Sequence, residues 1–181
     1  MIDIIFQFNG TIDKFIGDAI MALFDLPDNT SEVEEAINAV QAAIGMQKAV
    51  KVYNQHRAAC GDFLVSIGIG VNSGPVIIGT VGSKDRMDST VLGDVVNLAS
   101  RMEGLTKLYQ VQIIISSYTW KLIKNNESIL WRELDFVHVK GKDKPERIFE
   151  IFNSDEPDIR DKKQEILKPY HEALKNYFSQ N

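Results

Sequence analysis

The chain has 181 residues, 44% of them hydrophobic and 25% charged, enough to bury roughly 70% of its unfolded surface around one core. Its formal charge of −5 excludes a nonspecific grip on nucleic acid, which needs a basic face, so any phosphate must be held locally. A single cysteine, Cys60, rules out an intrachain disulfide and a thiolate metal cage and points to a reducing compartment, the cytoplasm. No run approaches the roughly 18 apolar residues of a membrane helix.

Residues 1–8 (MIDIIFQF) are apolar with no cap before them, and Asn9-Gly10 follows; this reads as the tail of a helix with a glycine stop, and so as a truncated start. Two short strands, TIDKFI and AIMALF, flank Gly17-Asp18 and predict a tight hairpin. Ser31 and Glu34 form a capping box, and Val33, Ile37, Val40 and Ile44 recur at helical spacing, predicting one long amphipathic helix toward His56. The β-rich residues 63–71 (FLVSIGIGV) and 76–81 (VIIGTV), separated by Asn72-Ser73-Gly74-Pro75, predict a second hairpin. A short strand at 88–92, a helix opened by Gly93-Asp94, a strand at 111–115 and a short helix at 116–124 follow. Strands at 131–139 and 147–152 flank the turn Gly141-Lys142-Asp143-Lys144-Pro145. Alternating strands and helices place the chain among α/β or α+β folds. Beyond Phe152 a polar linker (NSDEPDIRDKKQ) leads to a lone helix at 165–178, which sets the domain division at 1–153 and 154–181.

The chemistry concentrates in residues 68–101, where Gly68, Gly70, Gly74, Gly79, Gly82 and Gly93 fall within strand-rich sequence. Such glycine density means either a set of hairpin turns or close approach to a ligand. Asn97 and Arg101 lie four apart on a predicted helix, so they share a face that either is merely solvated or reaches one polyanionic ligand.

Four separated motifs carry a resemblance: Lys14-Phe15-Ile16-Gly17-Asp18 after Asn9-Gly10, the glycine-rich GIGVNSG, Arg86 to Arg101, and Val139-Lys140-Gly141-Lys142. In order and spacing they resemble the class III nucleotidyl cyclase domain over about residues 1 to 152. The resemblance implies an α+β fold, a ferredoxin-like α/β sandwich with its first strand missing. It implies an adenylate cyclase that makes cyclic AMP and pyrophosphate from ATP with Mg²⁺ or Mn²⁺. Asp18 is implied as the metal ligand, and an exposed carboxylate at a turn suits a hard cation. Lys14 and Thr90 are implied as the purine-reading pair, whose identities resemble ATP-selecting enzymes; Thr90 alone would read as an ordinary strand threonine. Asn97 would orient the ribose, and Arg101 would stabilise charge on the α-phosphate as the 3′-hydroxyl attacks. Arg86 and Lys140 match the residues that hold the β- and γ-phosphates, with Lys142 and Lys144 crowding the same turn as Lys140.

The family works as a head-to-tail dimer, so a homodimer with two equivalent composite sites is implied. One departure stands against the match. The family's first metal aspartate, in an FxDIxGFT-like motif, is absent, which leaves one family metal carboxylate where two-metal chemistry needs more. The expectation is therefore a chain that binds nucleotide and dimerises but turns over poorly. A second class stays open beside the first: a catalytically inactive cyclase-homology module for dimerisation or nucleotide sensing. His56, His138, His171 and Cys60 are assigned to structure or surface, and Trp120 and Trp131 to the core.

Overall fold

A computed structural model of the chain describes residues 1–25, 31–83, 86–137 and 145–179. A short helix, α1 (Ile2–Gln7), leads into the antiparallel hairpin of β1 (Thr11–Ile16) and β2 (Ala19–Leu23). The hairpin closes in two residues because Gly17 takes φ 63°, the left-handed region that glycine enters without the strain a side chain adds. Next comes the long helix α2 (Glu32–Cys60), opened as the capping box predicts: the Ser31 hydroxyl accepts a hydrogen bond from the Glu34 amide at 3.3 Å.

After α2 the chain runs through β3 (Ile69–Val71), β4 (Ile77–Ser83), β5 (Arg86–Leu92), α3 (Asp94–Tyr109), β6 (Ile113–Ser116) and α4 (Ser117–Ile123). It continues through β7 (Trp131–Val137), β8 (Glu146–Ile151), α5 (Pro157–Glu165) and α6 (Leu167–Ser179). The central sheet has the order β3-β6-β8-β7, with β3 parallel to β6 and the other neighbours antiparallel. Among the described residues the two hairpins, β1-β2 and β4-β5, form separate two-stranded sheets.

Alternation along the strands assigns the two faces. Ile113, Ile115, Phe149 and Ile151 pack with Ala36, Val40, Ala43 and Ile44 of α2 and Ile123 of α4. Ile114 and Ile148 point the other way, into Leu98 and Met102 of α3. Helices thus cover both faces, which is why β6 is an unbroken apolar run buried on each side. The α+β class expected from the sequence is what the chain adopts.

Three local expectations are corrected. Residues 63–71 and 76–81 do not pair with each other: β3 pairs with β6, and β4 pairs with β5 from Ile77↔Leu92 to Ser83↔Arg86. The sequence between them supplied turn chemistry, but β3 gains more by joining the buried sheet. Strand geometry in the first segment is also confined to Ile69–Val71. Among the described residues no strand pairs with the segment before Ile69, and α2 side chains take several of its main-chain groups instead. Arg57 Nε donates to the Phe63 carbonyl at 2.5 Å, Asn54 both donates to and accepts from Val65 at 2.7 and 2.8 Å, and Gln47 Nε2 donates to the Ile67 carbonyl at 2.9 Å. Phe63 is left 92% exposed.

The tail, thirdly, is neither a linker nor a lone helix. Its polar residues form α5, and Lys163 donates to Glu150 at 2.6 Å and Asp155 at 2.5 Å while Arg132 pairs with the same Glu150, a carboxylate only 1% exposed. On α6, the Tyr170 hydroxyl donates to the Glu133 carbonyl at 2.8 Å, His171 Nε2 accepts from the Glu133 amide at 3.4 Å, and the His171 ring stacks on Trp131. The open edge of β7 is thereby covered by side chains. Among the described residues no helix is long and apolar enough to cross a membrane.

Candidate functional site

The residues singled out by the sequence divide between elements. Lys14 lies on β1 and Asp18 in the tight turn that follows, with Asp18 exposed. The ladder slips between Ile12 and Lys14, so Asp13 is an extra residue in the strand. Its Oδ2 stands 3.4 Å from Lys14 Nζ, with side-chain exposures of 9% for Asp13 and 36% for Lys14.

Helix α3 carries the second set. Asn97 and Arg101 occupy one exposed face, one turn apart, while Leu98 and Met102 on the neighbouring positions are buried against the sheet. Among the described residues neither Asn97 nor Arg101 is engaged by a hydrogen bond or ion pair, so the guanidinium faces solvent with its five donors available. Asn72, which the sequence reads only as turn chemistry, ties the loop after β3 to the first turn of that helix: its Nδ2 donates to the Val95 carbonyl at 2.9 Å. Close packing fixes the helix on the sheet. Gly70 of β3 lies so near the α3 backbone that an added Cβ would stand 2.5 Å from the Glu103 nitrogen.

Arg86 and Thr90 both fall on β5, opposite Ser83 and Gly79, and the description there extends to the backbone only. Lys140 lies outside the described residues. The hairpin set and the α3 set sit on separate elements: the hairpin joins α1, which packs on α2, and α3 covers the opposite face of the sheet. A concavity of about 540 Å³ opens between α5 and α6, lined by Gln164, Leu167, Lys168, His171, Glu172 and Lys175, and it carries none of these residues. Among the described residues no group of three or more histidine, cysteine or acidic side chains is gathered as a metal cage; Asp18 stands as one carboxylate.

The described pattern matches known proteins closely. The model of the adenylate and guanylate cyclase catalytic domain covers residues 5–151. The terminal-differentiation-specific adenylate cyclase of Dictyostelium discoideum is 41% identical over 169 residues, covering 93% of this chain and 8% of its own length. An adenylate cyclase of Anabaena cylindrica is 46% identical over 147 residues, covering 78% of this chain and 28% of its own. The crystal structure of the adenylyl cyclase CyaB from P. aeruginosa superposes with a TM-score of 0.73 at 36% identity, covering 82% of this chain and 74% of that one. This chain belongs to the adenylate and guanylate cyclase catalytic domain family. It spans 8% and 28% of the length of those two curated relatives.

Proposed function

We propose that the chain is an adenylate cyclase domain that converts ATP to 3′,5′-cyclic AMP and pyrophosphate between two head-to-tail copies. The observation that carries this reading is the exposed, unengaged pair Asn97 and Arg101, one turn apart on α3. One chain carries both sets of residues, so two copies arranged about a two-fold axis would bring Asp18 and Arg86 of one to Lys14, Thr90, Asn97 and Arg101 of the other. In that arrangement Lys14 and Thr90 read the purine and Asn97 orients the ribose. Arg101 donates to the α-phosphate, where charge develops as the 3′-hydroxyl attacks and pyrophosphate leaves. Arg86 and Lys140 hold the β- and γ-phosphates.

Mg²⁺ or Mn²⁺ would accompany the triphosphate, and Asp18 at the hairpin tip is the carboxylate placed to meet it. One carboxylate does not make a complete two-metal site, so no step is routed through the ion. Residues 1–153 are taken as the catalytic unit in a cytoplasmic setting, with 154–181 attached to it.

The test is cyclic nucleotide production from ATP and from GTP in Mn²⁺. Cyclic AMP should dominate, Arg101→Ala should lower its rate on the order of a hundredfold or more, and Lys14→Glu should lower ATP use. A second reading, an inactive module that dimerises or senses nucleotide, is favoured by the absence of a gathered group of metal-ligating side chains around Asp18 among the described residues. It prevails if ATP binds and the chain dimerises but no cyclic product forms.

A further inference from the structure

The bulge in β1 brings forward a residue that the motif spacing passes over. In a regular strand Asp13 and Lys14 would project to opposite faces. Here the ladder pairs Ile12 with Ala22, omits Asp13, and resumes at Lys14 opposite Met21. An extra residue bends the strand and re-aims its side chains, and the outcome is an acidic and a basic group from consecutive positions 3.4 Å apart. Asp13 Oδ2 is buried and accepts no hydrogen bond among the described residues. A buried carboxylate oxygen without a donor is costly unless a cation faces it. The Lys14 ammonium is placed to be that cation, while its own side chain keeps 36% exposure toward solvent.

We propose that Asp13 is a positioning residue for nucleotide recognition: set on the β1 bulge, it holds the Lys14 ammonium in place as a donor to the purine. The proposal rests on the reading of Lys14 given above. Lysine carries three donors on a flexible four-carbon stem, so one can face Asp13 while another is offered to a ring acceptor. Restraining that stem before the ligand arrives removes part of the ordering cost of binding. Adenine presents an acceptor at N1 where guanine presents a donor, so a fixed ammonium favours adenine at that position.

The experiment uses the full chain with 3′-deoxy-ATP and 3′-deoxy-GTP, which bind but cannot cyclise, together with ¹³Cε NMR relaxation of the Lys14 side chain in the nucleotide-free chain. Asp13→Asn should weaken 3′-deoxy-ATP by about threefold to tenfold, the range of a half-exposed ion pair, and shift the guanine analogue less. It should also free the Lys14 stem, seen as greater mobility in ¹³Cε relaxation, and Asp13→Glu should restore part of both effects. A merely structural aspartate would leave the Lys14 relaxation unmoved, and that result overturns the proposal. In the unaltered chain the Lys14 side chain should be more ordered than that of the exposed Lys107, and equal mobility overturns the proposal whether or not the variants fold. Lys14→Ala separates the two layers. If it leaves the preference for the adenine analogue intact, the reading of Lys14 falls and the proposal with it; if it abolishes the preference while Asp13→Asn behaves as the unaltered chain, Asp13 alone is refuted.

Discussion

Replacing Gly70 by alanine tests how the sheet holds α3. The added Cβ would stand 2.5 Å from the Glu103 amide nitrogen and closer still to the Ala99 carbonyl oxygen, both backbone atoms of α3. Ordinary contact begins at 3.4 Å, so relief from the nitrogen alone requires the helix to retreat by about 0.9 Å, the difference between 3.4 and 2.5 Å. Gly68 makes a useful contrast, because its added Cβ would strike mainly the Thr106 side chain, which can rotate at the loss of its hydrogen bond to the Glu103 carbonyl. Overpacking of this kind costs about 1–3 kcal/mol, and a clash with backbone on both sides belongs at the upper end. For a chain of this size that corresponds to a fall in Tm of about 6–12 °C. Thermal melts followed by circular dichroism measure it, with Gly68→Ala falling less than Gly70→Ala. Because Asn97 and Arg101 ride on the same helix, nucleotide affinity should fall in step. A Gly70→Ala chain that melts within a degree of the unaltered one would refute the reasoning.

Three further outcomes follow from the same structure. Burial lowers the His171 pKa from 6.5, against the opposing charge of Glu133. Its neutral form therefore contributes stability that is present above pH 6.5 and lost as pH falls toward the lowered value. Docking of α6 on Trp131 should weaken over that window, read as a change in tryptophan fluorescence that His171→Gln removes. Glu150→Ala leaves Arg132 and Lys163 facing each other across a buried space and should destabilise the fold by about 3 kcal/mol, measured by urea denaturation. The Tyr109 pKa is raised to about 12, first by burial and then by its hydrogen bond to Asp135. The protonated phenol thus favours the fold below pH 10, and that contribution is lost as pH rises from 10 toward 12. Ultraviolet titration should place the Tyr109 transition lower in Asp135→Asn.

Legibility of the fold followed the range of the signals. The capping box at Ser31, the Gly17 turn and the start of α3 were all readable because the cause lies within a few residues of the effect. The pairing of β3 with β6 was not, because it depends on Ile69 and Ile113 meeting across 43 intervening positions. Residues 157–165 misled through composition: a run of charges reads as solvated, yet Lys163 is there to meet the buried Glu150. The shared face of Asn97 and Arg101 was legible from helical spacing, and the structure leaves both exposed on it. Asp13 was invisible because a bulge leaves no mark in the sequence; strict alternation would have sent it away from Lys14. Asn72 was equally hidden, since its contact with Val95 is made across a loop.

The segment before β3 has a consequence for handling the protein. Asn54 meets both polar groups of Val65 with one amide, as a neighbouring strand would, and Arg57 and Gln47 extend the imitation to Phe63 and Ile67. Counterfeit pairing of this sort seals alternate residues on one border only. The same segment carries the exposed apolar side chains of Phe63, Leu64 and Val65, which water already reaches. A border in that condition is a template for any extended polypeptide of matching length. As the concentration of the chain rises, sheet growth between molecules should begin at this border, seeded at a place where helix side chains do half the work of a strand.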